Sequence, residues 1–234
     1  MVDIHSHILN NIDDGSKSIT ESINMLKGLY ENGVTDVILT PHYVMDSFYQ
    51  NSIETKEKLF NKLKEEIKKN NIPINIYLGN EIYIDKDIKD KINKEALPLN
   101  NSNYILLEFP MNGIYNNSYG IISGLIERGY KVILAHPERY LTVKEDIKVL
   151  DEYKEMGVLF QSNIGSYFGD YGKTAKKTFK KLLKMKYISF IGTDSHSQNY
   201  NFKNIEKFRK KLSKVVDKNY LNDILEGNAK RNFI

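Results

Sequence analysis

Cysteine is absent from this chain of 234 residues. Disulfides, thiolate zinc sites, iron–sulfur clusters and cysteine nucleophiles are therefore excluded. The sequence also lacks any run of about 18 apolar residues, so we expect no transmembrane helix. It starts Met-Val-Asp-Ile-His, without the basic and apolar regions of a secretory signal. These absences predict a cytoplasmic protein with no direct membrane insertion.

A concentrated excess of one charge is also missing. The chain has 34 basic and 30 acidic residues, a net charge of +4 at pH 7, and they are spread along its length. Proteins that bind nucleic acid usually gather their basic residues on one face, so we expect no nucleic-acid partner. The hydrophobic fraction of 41% and the charged fraction of 27% are typical of a globular protein.

Short apolar runs alternate with longer segments of helical period, which predicts a parallel sheet with helical crossovers. Ser18 with Glu21 and Thr142 with Glu145 have the spacing of capping boxes at helix starts. The predicted strands are 2–5, 34–40, 74–78, 104–109, 131–135, 158–161 and 187–191. The predicted helices are 18–32, 52–71, 119–128, 143–156, 173–186, 204–216 and 221–229.

The first predicted strand leads into His5-Ser6-His7, and no glycine-rich phosphate loop follows it. Open doubly wound sheets that bind nucleotides usually carry such a loop at this position. No linker rich in proline or glycine divides the chain. We therefore predict one α/β domain over residues 1–234, with a barrel favoured over an open sheet.

The histidines lie at or just after the ends of predicted strands, and acidic residues join them there. The carboxyl ends of the strands of a parallel barrel converge on one face, so these side chains should meet in one pocket. Nitrogen and oxygen ligands without cysteine suit manganese, iron or zinc, and a set this large predicts two or three ions. Taken singly, each residue could instead be a satisfied polar side chain, a turn or a helix cap. The candidates are His5, His7, His42, His136, His196, Asp13, Asp14, Glu81, Glu108 and Asp194.

Arg139 follows one of these histidines in His136-Pro137-Glu138-Arg139. A guanidinium beside metal ions is suited to clamping a phosphate. The alternative is a salt bridge with Glu138 or Glu108, and Glu138 could serve only to orient Arg139 or a ligand histidine. Gln161 and Asn163 end a predicted strand, where they could face the pocket or cap the next helix.

Several tyrosines flank these motifs and could form an aromatic wall for a substrate that carries a ring. The alternative is amphipathic packing, which is common for tyrosine at strand ends. The tyrosines are Tyr43, Tyr83, Tyr115, Tyr140 and Tyr167.

Seven motifs between residues 3 and 196 together resemble the polymerase-and-histidinol-phosphatase (PHP) superfamily. Their order and the Asp-Asp-Gly turn resemble the CpsB/CapC metal-dependent protein-tyrosine phosphatases of bacterial capsule and exopolysaccharide systems. The motifs are Asp-Ile-His-Ser-His at the start, Asp13-Asp14-Gly15, Thr40-Pro41-His42, Gly79-Asn80-Glu81, Leu107-Glu108-Phe109, His136-Pro137-Glu138-Arg139 and Thr193-Asp194-Ser195-His196.

The resemblance implies a distorted (β/α)7 barrel around three divalent ions, usually Mn²⁺, with iron or zinc as alternatives. It assigns Asp14, rather than Asp13, as a ligand, and Arg139 as the phosphate-binding arginine. One departure is the absence of a second arginine after the last histidine, so that Lys203 is the first cation available to replace it. The implied ligand sets are His5, His7, Glu81 and Asp194 for one ion, Glu81, Glu108 and His136 for the second, and Asp14, His42 and His196 for the third.

The implied reaction is hydrolysis of phosphotyrosine by a hydroxide that the ions generate from water near neutral pH. His42 or His196 could donate a proton through a bound water molecule. The implied partner is a bacterial tyrosine autokinase, and a homo-oligomer is an open possibility. Three alternatives remain: a small-molecule phosphatase such as histidinol-phosphatase, a PHP-type nuclease, and an inactive metal-binding regulatory module.

Overall fold

Short parallel strands alternate with helices throughout the part of the chain that the structure, a computed structural model, describes: residues 1–114 and 117–234. The strands are β1 (Val2–Asp3), β2 (Asp36–Leu39), β3 (His42–Tyr43), β4 (Asn75–Leu78), β5 (Glu81–Tyr83), β6 (Tyr104–Glu108), β7 (Lys131–Ala135), β8 (Leu159–Asn163) and β9 (Ile188–Gly192). The α-helices are α1 (Ile19–Glu31), α2 (Ile53–Lys69), α3 (Ser118–Glu127), α4 (Leu141–Glu145), α5 (Asp151–Glu155), α6 (Ile164–Phe168), α7 (Gly172–Lys184), α8 (Lys203–Leu212), α9 (Lys218–Asn222) and α10 (Asn228–Asn232). Short 3₁₀ segments cover Ile88–Asp90, Leu99–Asn101, Pro137–Arg139 and Ile147–Leu150, and a π-helical segment covers Asp223–Gly227.

The strands form two sheets, ordered β1-β2-β4 and β3-β5-β6-β7-β8-β9. Neighbouring strands in each sheet are parallel. β2 and β3 follow each other along one stretch of chain, with a break at Thr40-Pro41, and β4 and β5 do the same across Gly79-Asn80. The two sheets therefore share their second and third strand positions. Counted this way, the described chain has seven strand positions in sequence order.

Backbone hydrogen bonds bring the last strand position back to the first. The amide of Asp194 donates to the carbonyl of His5 at 2.8 Å, and the amide of His7 donates to the carbonyl of Ser195 at 3.0 Å. Ser6 and Ser195 form a parallel bridge at the same point. The order of strands is therefore cyclic, and the predicted distorted (β/α)7 barrel is confirmed.

Alternate strand residues belong to two separate apolar layers, as the pleat of a strand requires. On β6, Leu106 packs with Ile38 and Phe190 inside the barrel, whereas Ile105 and Leu107 belong to the larger layer beneath the helices. All of these side chains are buried. A β-strand covered on both faces reads as a continuous apolar run, which is why the strands were visible in the sequence.

The carboxyl terminus packs against the amino ends of the strands. The ring of Phe233 lies 5.2 Å from the ring of Tyr104 and 5.5 Å from that of Phe190. The hydroxyl of Tyr104, at the start of β6, donates to Asn232 Oδ1 at 2.9 Å. This end of the barrel is therefore closed by apolar and aromatic contacts.

The predicted helix over residues 143–156 is wrong as a single element. Helix α4 ends at Glu145, and Asp146 adopts an extended backbone from which its side chain caps the following segment by accepting from the amide of Lys148 at 3.0 Å. Thr142 lies inside α4 instead of capping it, and its hydroxyl accepts from the amide of Ile114 at 3.2 Å. A local side-chain bond thus competes with the helix, as aspartate commonly does.

The remaining predicted elements exist, with end shifts of at most four residues. The cap at Ser18 is confirmed, because its hydroxyl accepts from the amide of Glu21 at 3.1 Å. The predicted helix over 221–229 is divided by the π-helical segment Asp223–Gly227. Within the described residues, every helix is too short or too polar to cross a membrane.

Candidate metal centre

The predicted metal ligands meet at the carboxyl ends of the barrel strands, around a cavity of about 320 Å³. They approach from separate parts of the sequence because they follow, end or begin six different strand segments, β1, β3, β5, β6, β7 and β9. The backbone is unusual at two of them: His136 and Asp194 have φ angles of 33° and 53°. Left-handed backbone at residues other than glycine costs free energy and is commonly retained at functional sites.

His5, His7, Glu81 and Asp194 form the most deeply buried group. Glu81 Oε2 lies 3.1 Å from His5 Nε2 and 3.2 Å from His7 Nε2, and Asp194 Oδ1 lies 3.4 Å and 3.3 Å from the same two nitrogens. The four ligand atoms are all within 4.8 Å of one another. The two histidines share a side because they are two residues apart on extended chain.

The other carboxylate oxygen of Glu81 faces a second group. Oε1 lies 2.9 Å from His136 Nε2, which is also 3.6 Å from Glu108 Oε1. His42 borders this group as well, since its Nδ1 lies 3.2 Å from Glu81 Oε2 and 3.8 Å from Glu108 Oε2. Glu81 therefore has the geometry of a bridge between two ion positions.

The third group lies nearer to solvent. Asp14 Oδ1 is 3.6 Å from His42 Nε2 and 3.5 Å from His196 Nε2. His7 is close enough to belong to this group too. The side chain of Asp14 is 51% exposed, so this position opens to the surface of the cavity.

Without cations, the charges in this site oppose one another. Burial and the nearby carboxylates of Glu81 and Asp194 raise the pKa of Glu108 to about 9. Burial lowers the pKa of His5, but Glu81 and Asp194 outweigh that effect and raise it to about 9. Burial and the charge of Arg139 lower the pKa of His136 to about 4. Protons thus occupy a region where divalent cations would neutralise the same carboxylates.

Unpartnered polar atoms support the fit of cations to this site. Nδ1 of His42 and Nδ1 of His136 are buried, and neither has a hydrogen-bond partner among the described residues. Buried polar atoms are nearly always paired, so two orphaned imidazole nitrogens need an explanation. Nδ1 of His42 lies beside two carboxylates, where a bound cation would satisfy it.

Three polar residues hold the ligand side chains in orientation. Gln161 Oε1 lies 2.9 Å from His5 Nδ1, and Asp13 Oδ2 lies 2.8 Å from His7 Nδ1. Both oxygens accept, so each ring donates from Nδ1 and keeps Nε2 for an ion. Asn163 Nδ2 donates to Asp194 Oδ2 at 2.8 Å. Gln161 and Asn163 therefore face the site, which sequence reasoning had left open.

Asp13 has the stronger of these positioning roles. Its carboxylate also accepts from the amides of Gly15 at 2.9 Å and His42 at 3.0 Å. Burial works against its ionisation, but the bond from His7 holds the pKa of Asp13 at about 2. The side chain is committed to these three donors, whereas Asp14 points at two imidazoles.

Arg139 lines the cavity, with its guanidinium carbon 4.3 Å from the centre of the Tyr171 ring. Its Nη1 donates to Asp194 Oδ2 at 2.7 Å. The salt-bridge partners considered from sequence, Glu138 and Glu108, were therefore the wrong carboxylates. Glu138 is buried and instead accepts from Ser162 Oγ at 2.8 Å and from the amide of Asn163 at 2.9 Å.

Lys203 is exposed at the first residue of α8 and is not among the residues that line the cavity. Its predicted contact with a substrate phosphate has no support in the structure. The neighbouring turn places Ser197, Gln198 and Asn199 after His196, and none of these supplies a charge.

The predicted aromatic wall is wrong for Tyr43, Tyr83, Tyr140 and Tyr167. Tyr43 and Tyr140 are fully buried, and their hydroxyls donate to Glu95 Oε2 and to the carbonyl of Ala135, both at 2.8 Å. Tyr167 packs edge-on against Phe179 and Phe208, Tyr83 is not among the cavity-lining residues, and Tyr115 lies outside the described residues.

Among the tyrosines that the structure describes, the one that lines the cavity is Tyr49, which sequence reasoning missed. Val44 and Met111 line it as well. The available clue was position: Val44 and Tyr49 follow the strand of His42, and Met111 follows that of Glu108. A second unforeseen feature is Lys56, which is fully buried and donates to Asn80 Oδ1 at 2.9 Å, directly before Glu81.

Comparisons with known proteins agree with this geometry. The family described as "Capsular polysaccharide synthesis, CpsB/CapC" matches residues 1–233. The chain is 38% identical over 198 residues to the putative tyrosine-protein phosphatase CapC of Staphylococcus aureus, covering 84% of this chain and 77% of CapC. It is 31% identical over 198 residues to the tyrosine-protein phosphatase YwqE of Bacillus subtilis, covering 84% of this chain and 78% of YwqE.

A solved structure has the same fold as this chain. It comes from work on YwqE of Bacillus subtilis and CpsB of Streptococcus pneumoniae, described there as unique metal-dependent tyrosine phosphatases. The TM-score is 0.88 at 28% sequence identity, and the match covers 94% of this chain and 90% of the other.

Proposed function

Because this chain belongs to the CpsB/CapC family, we propose that it is a metal-dependent tyrosine-protein phosphatase that removes phosphate from a phosphoprotein of capsule synthesis. The observation that carries the proposal is the convergence of three ligand groups and one arginine on a single cavity. Phosphoryl transfer needs positioning and neutralisation of charge, and this cavity is built for both. We propose that residues 1–234 form one catalytic domain.

We assign three divalent ions to the centre, with Mn²⁺ as the preferred metal and iron or zinc as alternatives. Bound ions of this kind make water nucleophilic near neutral pH and offset the charge of a phosphate. The bridging geometry of Glu81 supports the shared ligand. The assigned sets are His5, His7, Glu81 and Asp194, then Glu81, Glu108 and His136, then Asp14, His42 and His196.

Arg139 is the phosphate-binding residue of this proposal. Its pKa is raised above the usual value: burial opposes the charge, but Asp194 and other nearby acids favour it, so it stays charged. The planar guanidinium can present two parallel donors to phosphate oxygens. Its bond with Asp194 uses Nη1 and Oδ2, so Asp194 Oδ1, which faces His5 and His7, stays available for an ion.

His42 and His196 are the candidate proton donors to the leaving tyrosyl oxygen. A tyrosyl oxygen has a pKa of about 10, so it leaves with less protonation than an alkoxide requires. His196 Nδ1 donates to the carbonyl oxygen of Asp194 at 2.9 Å, because a carbonyl oxygen can only accept. Its Nε2 therefore faces the cavity near Asp14. Either histidine can donate a proton through a water molecule only where its Nε2 is not bound to an ion.

We propose an autophosphorylating bacterial tyrosine kinase as the protein substrate. The support is the family's part in capsular polysaccharide synthesis, which calls for a phosphoprotein substrate in that process. The cytoplasmic location and the possible homo-oligomer stay predictions from the sequence.

A turnover panel with manganese-loaded protein tests the function. We expect a phosphotyrosine peptide to be hydrolysed much faster than a phosphoserine peptide, histidinol phosphate or a single-stranded oligonucleotide. Faster turnover of histidinol phosphate would replace the proposal with a small-molecule phosphatase, and release of nucleotides would replace it with a nuclease. Full metal occupancy without turnover of any substrate would indicate a regulatory module.

A further inference from the structure

The metal cavity is lined by charged side chains and by apolar ones. Beside the charged ligands and Arg139, it includes Val44, Tyr49 and Met111. Val44 and Tyr49 lie in the loop after β3, and Met111 lies in the loop after β6. We call these three side chains the ring pocket. Ligand binding and phosphate binding, as assigned above, use none of them.

Tyr49 is placed directly against the metal centre. Its ring is nearly parallel to the His42 imidazole, with an interplanar angle of 22° and centroids 5.7 Å apart. Met111 is 38% exposed and is three residues beyond Glu108. These apolar and aromatic side chains beside the charged ligands offer a surface that an aromatic ring of a substrate can cover.

The loop that carries Tyr49 is held in shape by polar bonds. Ser47 Oγ donates to the carbonyl of Val44 at 2.8 Å and accepts from the amide of Tyr49 at 3.1 Å. Gln50 Oε1 accepts from the amide of Asp46 at 2.7 Å, while its Nε2 donates to Glu95 Oε2 at 2.6 Å. The aromatic rings are therefore presented on a fixed loop.

Phe48 is the adjacent residue and is fully exposed, at 101% of its reference surface. A phenylalanine side chain with no packing contact gains nothing from folding and gains considerably when a partner covers it. Phe48 precedes Tyr49 in the loop and therefore lies one residue from a side chain that lines the cavity.

We propose that the ring pocket receives the phenyl ring of a phosphotyrosyl side chain and that Phe48 contacts an apolar residue next to it in the substrate. This inference rests on the proposed function and names what selects phosphotyrosine. A phosphotyrosyl phosphate lies a whole phenyl ring beyond Cβ, so it reaches the metal centre while the peptide backbone stays at the mouth. A phosphoseryl phosphate is attached next to Cβ and would bring the polar backbone into contact with Tyr49 and Met111.

The test compares a substrate with a ring and a substrate without one. Manganese-loaded Tyr49→Ala and Met111→Ala are assayed with phenyl phosphate, a phosphotyrosine peptide and acetyl phosphate. We expect Tyr49→Ala to raise KM for both ring substrates on the order of 10-fold, because the contacts of one hydrophobic wall are lost. Its kcat, and both constants for acetyl phosphate, should change less than about twofold. Tyr49→Phe should retain wild-type constants because it keeps the ring.

Tyr119→Ala is the matched control. Tyr119 is 48% exposed on α3, and the cavity that it lines lies away from the metal centre. Its constants should equal those of the wild type. The metal content of every variant is measured, because a changed ion occupancy would alter all substrates together.

Phe48→Ala tests the outer contact separately. It should weaken binding of a phosphotyrosine peptide with apolar flanking residues and leave phenyl phosphate unaffected. Equal effects on phenyl phosphate and the peptide would contradict the assignment of Phe48.

The outcomes separate this inference from the proposed function. Suppose that the wild type hydrolyses phosphotyrosine, but Tyr49→Ala loses activity equally toward substrates with and without a ring, or toward neither. The ring pocket is then wrong and the function stands. If the wild type turns over none of the phosphotyrosine peptide yet Tyr49→Ala raises KM only for phenyl phosphate, the protein substrate is wrong and the pocket stands.

Discussion

The two ends of the barrel bury opposite kinds of side chain. At the carboxyl ends of the strands, His5, His7, Glu81 and Asp194 are buried as a polar cluster whose shortest contacts are near 3 Å. At the amino ends, Phe233 closes the barrel against aromatic rings, and its side chain is 5% exposed. The same strands thus begin in an apolar environment and end in a charged one.

This difference separates stability from chemistry. Burial of the apolar end stabilises the fold through the hydrophobic effect. The charged end contains groups that oppose folding when no cations are bound, because burial and like charges raise the pKa of Glu108 to about 9 and the backbone of His136 and Asp194 is strained. We expect substitutions at one end to change activity and metal binding, and those at the other to change the free energy of unfolding.

Glu81→Gln should give the largest loss. The substitution keeps the shape of the side chain but removes a charge that faces His136 from Oε1 and His5, His7 and His42 from Oε2. We expect kcat/KM to fall on the order of 1,000-fold, in line with the loss of a central electrostatic group. Steady-state kinetics and metal analysis of the purified variant measure it.

Glu206→Gln is the matched control for Glu81→Gln, since its side chain is 58% exposed on α8. It should retain full activity and metal content. Normal metal content together with normal turnover in Glu81→Gln would remove Glu81 from the centre.

Phe233→Ala should produce the opposite pattern. Removing a buried aromatic side chain typically costs about 3–5 kcal/mol, and the lower end applies here because a chain terminus can relax around the cavity. We expect the free energy of unfolding in urea to fall by about 3 kcal/mol, with kcat/KM of the folded fraction unchanged. A loss of kcat/KM that persists at temperatures where the variant is fully folded would mean that the two ends are coupled.

Lys56→Met tests whether a buried charge that is not a metal ligand also lowers the stability of the charged end. Lys56 Nζ is buried against Asn80 Oδ1 and the carbonyl of Glu95, and burial lowers its pKa to about 8 from an ordinary value of 10.5. Below pH 8 both the folded and the unfolded chain carry the proton. Between pH 8 and 10.5 the folded chain loses it first, so the wild type should gain stability as the pH rises.

The measurement is urea unfolding of metal-free protein at two pH values. From pH 7 to pH 9.5 the wild type should gain about 2 kcal/mol relative to Lys56→Met, which has no proton to lose. Parallel curves for the two proteins would show that Lys56 keeps an ordinary pKa. The difference between the proteins, rather than either curve alone, isolates Lys56 from the tyrosines that also titrate at high pH.

Asp13→Asn weakens the support of one ligand without removing a ligand. The carboxylate accepts from His7, Gly15 and His42, and asparagine can present only one oxygen to these donors. Loss of such a supporting contact typically lowers metal affinity about 10- to 100-fold. Competition with a chelator measures the affinity, and an unchanged affinity would assign Asp13 to the turn alone.

The charged end was largely predictable from sequence, and the reason is topological. Parallel strands deliver their last residues to one edge, so histidines and acids at strand ends such as His136 and Asp194 had to meet. Most helices and strands could be predicted from the periodicity of apolar residues and from helix caps such as Ser18. Orientation within the site was not predictable, since the partner of Arg139 depends on which carboxylate its side chain reaches after packing.

Each wrong or missed prediction has a local physical cause. Tyr43 was expected at the cavity but is buried in the protein, because it follows His42 on a strand and a shift of one residue reverses the face of a side chain. Tyr140 follows the 3₁₀ segment Pro137–Arg139, and its hydroxyl turns back to the carbonyl of Ala135. The break at Asp146 came from a single side-chain bond that outweighed helical period. Tyr49 lies in a loop whose shape is fixed by Ser47 and Gln50, and no periodic pattern reports such a shape.

Lys203→Ala should have the smallest effect. It tests whether a charge outside the cavity contributes to binding of the substrate phosphate. Lys203 is exposed at the start of α8 and does not line the cavity. Exposed charges are screened by water and salt, so we expect kcat/KM for a phosphotyrosine peptide to change less than about twofold. Arg139→Ala, assayed beside it, should lower kcat/KM on the order of 100-fold, because it removes the partly buried residue assigned to bind the phosphate. If Lys203→Ala instead raises KM about 10-fold at low salt and the effect disappears at high salt, the phosphate is attracted by charge beyond the cavity.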